Sequence, residues 1–421
     1  MPGCENRYYD YLIKEGMRVA NIYEDLGVPI VINAAGTATR LGGPPLSNVV
    51  MEAMAKAGEA SVYIEDLQTQ AALLIREVTG AESGLVTSGA SAGLTLAAAA
   101  CMAGLDGARM RQLPDSRGIP NEILIARSHR NAYDRALTLA GAKLIDVGID
   151  DWAAGAGVRG IEPDVFAESI TDKTAAIFYL ARRDERMNLR ALVAVARRFG
   201  IPVIVDAAAQ LPPRENLRRF IEEGADLVVF SGGKAICGPQ GTGILCGKQE
   251  LVASAAVQMV DLDVPWEAWN PPRLLFPKEA LQGMPYHGVG RGFKVSKEEI
   301  VGLMVALRRF VDAEGLHDQW VDHLRRIAGK VEGLAGVDQV RLVLDAPTPL
   351  LQIKLDEASL KRSPWEISTS LRYGNPRIAF NEQLLHQGVL IVNPISLRPG
   401  DGDLVAQGLA KELANNLRQP N

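Results

Sequence analysis

The chain has 421 residues, 47% of them hydrophobic and 23% charged, with a formal net charge of −5. That length exceeds one typical domain and suits a large domain joined to a smaller one. The acidic balance argues against a nucleic-acid partner, which would require a basic surplus.

The N-terminal stretch Met1–Asp10 lacks the basic start and apolar run of a signal peptide. The cysteines Cys4, Cys101, Cys237 and Cys246 fall in no CxxC or Cys/His pattern, which predicts free thiols in a reducing cytoplasm. Residues 6–27 read as a polar, partly amphipathic helical arm of the kind that lies on another subunit, leading into Pro29-Ile-Val-Ile-Asn33. From about residue 45 to 250, helical stretches alternate with short apolar runs at 84–87, 122–126, 143–147, 175–180, 202–205, 226–230 and 243–246. Near-continuous β-branched runs of this length suit strands buried on both faces of a mostly parallel sheet with crossover helices. The expectation is an α/β layered domain.

The longest apolar run, Ala92–Leu105, is too short for a bilayer and is broken by Gly93, Thr95 and Gly104. It predicts a buried helix and no membrane partner. Residues 251–285, richer in Trp and Pro, read as irregular. Ser296-Lys-Glu-Glu299 forms a capping box that opens a long helix, with an apolar face through Ile300, Leu303, Met304, Leu307 and Val311. The remainder reads as a small α/β domain with strands near 338–345 and 350–355. The implied organisation is an arm and entry to the small domain over 1–44, a large domain over 45–290 and a small C-terminal domain over 291–421.

Four constellations carry chemistry. Ser231-Gly-Gly-Lys234 follows the strand 226–230, where flanking glycines let a flat group lie beside the lysine. A buried cationic lysine is costly, so this one is neutral, paired or used covalently, and a covalent link to pyridoxal phosphate (PLP) is that use. A surface lysine in a turn is the plainer alternative. Asp206 closes the run 202–205, 28 residues before Lys234, at the end of a strand where ligands bind in such sheets. A carboxylate there keeps the PLP ring nitrogen protonated; alternatively it caps a helix.

Thr87-Ser88-Gly89-Ala90-Ser91 precedes the apolar helix, so small residues expose backbone N–H groups at a helix start, where the dipole favours an anion such as the cofactor phosphate. An ordinary capped helix is the alternative. His129, after the strand 122–126, has an imidazole suited to stacking on the ring and relaying protons, or to a simple backbone bond. Thr242, in Gly238-Pro-Gln-Gly-Thr242-Gly, is a further phosphate-binding candidate, and Ala208 and Ser231 complete the expected cofactor wall. With five histidines and no HExxH or Cys/His cluster, no metal site is expected.

Asp206, Ser231-Gly-Gly-Lys234, Gly238-Pro-Gln-Gly, Val31-Ile-Asn-Ala-Ala-Gly36 and Gly290-Arg-Gly-Phe-Lys294-Val-Ser-Lys-Glu-Glu together resemble the bacterial selenocysteine synthase family of fold-type-I (aspartate-aminotransferase-like) PLP enzymes. Within it, the chain resembles the D-glucosaminate-type ammonia-lyase branch. The resemblance implies Lys234 as the cofactor lysine, Asp206 as partner of the ring nitrogen, and Arg291 and Lys294 as holders of an active-site anion. Read without it, Arg291 and Lys294 are a solvated charge pair at a helix entry. Arg398 lies where such enzymes often bind the substrate carboxylate, with Arg377 or a surface role as alternatives.

Two departures bear on function. Only about thirty residues precede the family's start, so the extra N-terminal tRNA-binding domain of selenocysteine synthases is not expected. Leu41-Gly-Gly43 replaces Leu-Gly-Arg, which removes one anion-binding arginine that Arg40 would have to replace. The implied activity is a PLP-dependent lyase that dehydrates and deaminates an acidic or polyhydroxylated 2-amino acid, working as at least a homodimer. Racemisation, aldol cleavage and β-replacement need the same lysine and aspartate, and a non-catalytic PLP-binding protein is a further alternative.

Overall fold

The computed structural model describes residues 22–182, 187–281, 283–284 and 286–417. The expected arm lies mostly outside this range, and of it only one helical turn, Ile22–Asp25, is described. The chain forms two compact units, one of residues 37–319 and the other of the segments up to Gly36 and from Trp320.

In chain order, β1 (Val31–Ala34) belongs to the smaller unit. The larger unit holds β2 (Ser83–Thr87), β3 (Glu122–Ala126), β4 (Lys143–Val147), β5 (Ile149–Asp151), β6 (Gly157–Arg159), β7 (Thr174–Leu180), β8 (Val203–Asp206), β9 (Leu227–Ser231) and β10 (Gly243–Gly247). Then β11 (Val337–Val343), β12 (Leu350–Leu355), β13 (Arg377–Phe380) and β14 (Val389–Val392) return to the smaller unit.

Seven strands form the main sheet in the order β2-β10-β9-β8-β7-β3-β4. Strands β9, β8, β7, β3 and β4 are mutually parallel, while β10 runs antiparallel to both β9 and β2. Every residue of β2, β8 and β10 is buried, as expected for strands covered on both faces. Because β10 alone is reversed, the segments after β2, β3, β7, β8 and β9 and the segment before β10 all emerge at one edge. That edge is where an open α/β sheet binds ligands.

The helices that position this edge are α1 (Asn48–Gly58), α2 (Ile64–Thr79), α3 (Ala90–Ala103), α4 (Leu189–Arg198), α5 (Gln249–Met259) and α6 (Lys297–Asp312). Helix α3 is apolar all round and almost wholly buried, and it packs on α5 and on β7, β9 and β10. The α4 start is fixed by Asn188, whose side chain accepts the Ala191 N–H at 3.1 Å. The Ser296–Glu299 capping box forms as expected and opens α6, which packs on α1. That packing places residues 291–319, assigned to the small domain on sequence, within the larger unit.

The region 251–285 is less irregular than its sequence implied, since α5 runs to Met259 with Val252 through Met259 buried. A helix buried on every side, with Ser254 and Gln258 among its buried residues, shows no clear amphipathic period to read. The hairpin β5–β6 was also not anticipated.

In the smaller unit, β11-β12-β14 form an antiparallel sheet and β1 pairs in parallel with β13. Its core gathers Leu324, Ile327, Leu351, Ile353, Ile378 and Leu409, each at most 1% exposed. Burying each such side chain contributes roughly 1.5–3 kcal/mol. Among the described residues, no helix is long and apolar enough to cross a membrane.

Candidate active site

A cavity of about 510 Å³ opens at the carboxyl edge of the main sheet. Its wall includes Ser88–Ser91 after β2, Ala181 after β7, Asp206 and Ala208 at the end of β8, Ser231 and Lys234 at the end of β9, and Thr242 before β10. The volume lies within the roughly 300–1,000 Å³ common for small-molecule sites.

Asp206 is 7% exposed and accepts the Ala208 N–H at 2.9 Å. Burial pushes its carboxyl above the ordinary range, against the pull of that N–H and of the Lys234 charge. Burial likewise draws the Lys234 amine below the ordinary lysine range, against the opposing charge of Asp206. Both groups are thus shifted toward neutrality. A protonated pyridine nitrogen beside Asp206 would supply the positive partner that burial leaves wanting, so the donor set fits PLP.

The Lys234 loop is held by backbone. The Gly232 N–H donates to Thr242 O at 2.9 Å, and the Cys237 N–H donates to Lys234 O at 3.0 Å. Gly233 is obligatory for packing, because a Cβ there would lie 2.4 Å from the Gln240 carbonyl oxygen.

At the start of α3, Gly89 adopts φ +95°, a conformation that glycine reaches without strain. Its N–H is spent on Thr87 O at 2.9 Å, and the Gly93 N–H begins the helical ladder on Gly89 O at 3.1 Å. The N–H groups of Ala90, Ser91 and Ala92 are left to face an anion at the positive end of the helix. The Ser88 hydroxyl donates to Phe293 O at 2.8 Å, and the fully buried Thr242 hydroxyl donates to Pro239 O at 2.6 Å. Both donors are committed within the protein, although each oxygen can still accept.

Several expected residues stand elsewhere. His129 is buried but does not line this cavity: its Nδ1 accepts the Leu180 N–H at 3.2 Å, and its ring meets Tyr179 edge-on at 5.2 Å. It lines a separate cavity of about 110 Å³. The Arg291 Nη2 lies 2.5 Å from Asp261 Oδ2, and Lys294 is exposed. Neither these two residues nor Arg40, exposed in the turn Thr39–Leu41, is on the cavity wall.

Arg398 and Arg377 belong to the smaller unit. There Arg398 pairs with Asp401 at 3.3 Å, and Arg377 sits 6.0 Å from the centre of the Tyr373 ring. An exposed group of Asp261, Asp263 and His287 brings ligand-type atoms within 4.8 Å of one another, with Asp261 already paired to Arg291.

Sequence reading missed Asn131, Tyr133 and Gln240, which also line the cavity. The first two sit in a turn closed by an Asn131–Asp134 capping box, a spacing legible in Asn131-Ala-Tyr-Asp134.

The fold and this site define a fold-type-I PLP enzyme. Residues 151–260 match the family described as Aminotransferase class-V. The 5'-C-glycyluridine monooxygenase-decarboxylase of Streptomyces sp is 31% identical, covering 94% of this chain and 92% of its own length. The D-glucosaminate-6-phosphate ammonia lyase of Salmonella typhimurium is 29% identical over 94% of this chain and 98% of its own. A solved structure of D-glucosaminate-6-phosphate ammonia-lyase superposes with a TM-score of 0.78 at 28% identity, covering 94% of this chain and 99% of that one. The L-seryl-tRNA(Sec) selenium transferase of Solidesulfovibrio magneticus is 28% identical over 53% of this chain and 49% of its own length. The chain belongs to the selenocysteine synthase-like family of fold-type-I PLP enzymes that these proteins represent. It is a PLP-dependent enzyme of the lyase type.

Proposed function

We propose that the enzyme eliminates water across Cα–Cβ of a polyhydroxylated or acidic 2-amino acid of the glucosaminate type, yielding a 2-oxo acid and ammonia. The observation that carries this reading is that Asp206 and Lys234 share one cavity wall with the α3 N-terminus. When bound, PLP supplies an aldehyde that takes up the substrate amine and a ring that accepts electrons from Cα.

Lys234 holds the cofactor at rest. With its amine free, Lys234 would remove the Cα proton with Nζ, a task suited to an amine that burial keeps below the ordinary lysine range. The same amine can return that proton to the departing β-hydroxyl, so water leaves with no net gain or loss of protons at Lys234. Asp206 keeps the ring nitrogen protonated through the reaction. The N–H groups at the start of α3, beside Ala90 and Ser91, would hold the phosphate; Ser88 and Thr242 would add donors only by turning their hydroxyls from Phe293 O and Pro239 O, and Ala208 and Ser231 form the wall. After release, the unsaturated amine hydrolyses in water to the 2-oxo acid and ammonia.

His129 is assigned a supporting role behind this wall. Arg40, Arg291, Lys294 and either Arg398 or Arg377 are the candidates for binding an acidic substrate group. A cytoplasmic homodimer is the proposed working form.

The test is to supply D-glucosaminate and D-glucosaminate 6-phosphate to the PLP-loaded enzyme and follow ammonia, 2-oxo acid, carbon dioxide and oxygen. Ammonia and 2-oxo acid in equal amounts, formed without oxygen, support elimination. A second reading, favoured by the 31% identity to the Streptomyces enzyme, is oxygen-dependent decarboxylation. Carbon dioxide release that stops under anaerobic conditions would favour it instead.

A further inference from the structure

Tyr133 stands on the wall of the Asp206–Lys234 cavity, and 69% of the residue is exposed. Its backbone is tightly fixed. The Tyr133 N–H donates to Asn131 Oδ1 at 2.7 Å, and the Asn131 N–H donates to Asp134 Oδ2 at 3.2 Å. Arg130 clamps the same turn, with its Nε 2.5 Å from Asp134 Oδ2 and its Nη1 paired with Asp146 on β4.

The phenol, by contrast, is uncommitted: its hydroxyl has no partner among the described residues. Several other polar groups on this wall are already engaged, while Thr39, Ser91, Ser231 and Gln240 have side chains that offer no ring to cover a sugar chain. The Ser88 hydroxyl donates to Phe293, the Thr242 hydroxyl to Pro239, and the Asn131 amide bonds both Tyr133 N–H and His129 O. Asp206 and Lys234 serve the reaction itself. A rigid turn therefore presents to the cavity a group that can both donate and accept a hydrogen bond, on a flat ring that can cover the C–H face of a sugar chain.

We propose that Tyr133 is a specificity-determining residue whose hydroxyl bonds a substrate hydroxyl beyond Cβ, so that the enzyme selects polyhydroxylated 2-amino acids over short ones such as serine. This rests on the elimination reading above and adds the feature that selects the substrate. Tyr133→Phe keeps the ring and deletes only the hydroxyl.

The experiment compares PLP-loaded wild type and Tyr133→Phe with D-glucosaminate and with D- and L-serine. It measures rates and, independently of turnover, the change in cofactor absorbance on titration. The expected result is a fall of about three- to tenfold in the preference for D-glucosaminate over serine, carried by KM and by the spectral binding constant rather than by kcat, as befits one neutral hydrogen bond. An unchanged preference overturns the proposal, as does a wild type that binds D-glucosaminate no better than serine. If ammonia appears from neither compound, the elimination reading fails, while the titration still decides the hydroxyl contact.

Discussion

Asp206 and Lys234 reach the same cavity from adjacent parallel strands, the first as the last residue of β8 and the second three residues beyond the end of β9. Each acts on the other: the aspartate charge raises the lysine's proton affinity and the lysine charge lowers the aspartate's, while burial drives both the opposite way and prevails.

This coupling has a pH signature. The unprotonated Lys234 amine is the form that reacts with an aldehyde, so the rate of PLP uptake by apoenzyme should rise with pH to a midpoint below the ordinary lysine range. Asp206→Asn removes the charge that favours the protonated amine, so the midpoint should move to still lower pH. A midpoint that stays put or rises would show that the two groups do not interact.

Gly233→Ala tests the packing of the lysine loop. The added Cβ would meet Gln240 backbone atoms at 2.4–2.8 Å, an overpacking that costs about 1–3 kcal/mol. A lowered urea midpoint together with weaker PLP retention is expected. Gly329→Ala is the control: this exposed helical glycine has nothing within 4 Å of a new Cβ. It should raise stability by about 0.5–1 kcal/mol through helix propensity.

Ser296→Ala removes the α6 cap, in which the Ser296 hydroxyl accepts the Glu299 N–H at 3.2 Å. The expected cost is about 1 kcal/mol, measurable by thermal or denaturant unfolding with PLP affinity little changed. A loss above about 3 kcal/mol would mean that the residue does more than cap the helix.

The main sheet was largely legible in the sequence because its strands are buried on both faces, which leaves continuous apolar runs such as 123–126 and 203–205. Asp206, Lys234 and Ser88–Ser91 stood out because each lies where such a run stops. The antiparallel sense of β10 was not legible, since direction leaves no mark on a five-residue apolar run. Helix α5 was hidden by its uniform burial. Tyr133 and Asn131 were missed because they sit in a polar turn whose proximity to Lys234 depends on strand order. Arg291 stood out through family likeness alone, and its partner Asp261, 30 residues earlier, needed the folded loop to be found.

The most direct measurement is to reduce the PLP-loaded enzyme with borohydride, digest it and locate the modified lysine by mass spectrometry. A single cofactor adduct on Lys234, absent in Lys234→Ala along with at least about a hundredfold of the activity, is the expected result. An adduct on another lysine, or Lys234→Ala retaining both cofactor and turnover, would contradict the assignment of this cavity as the reaction centre.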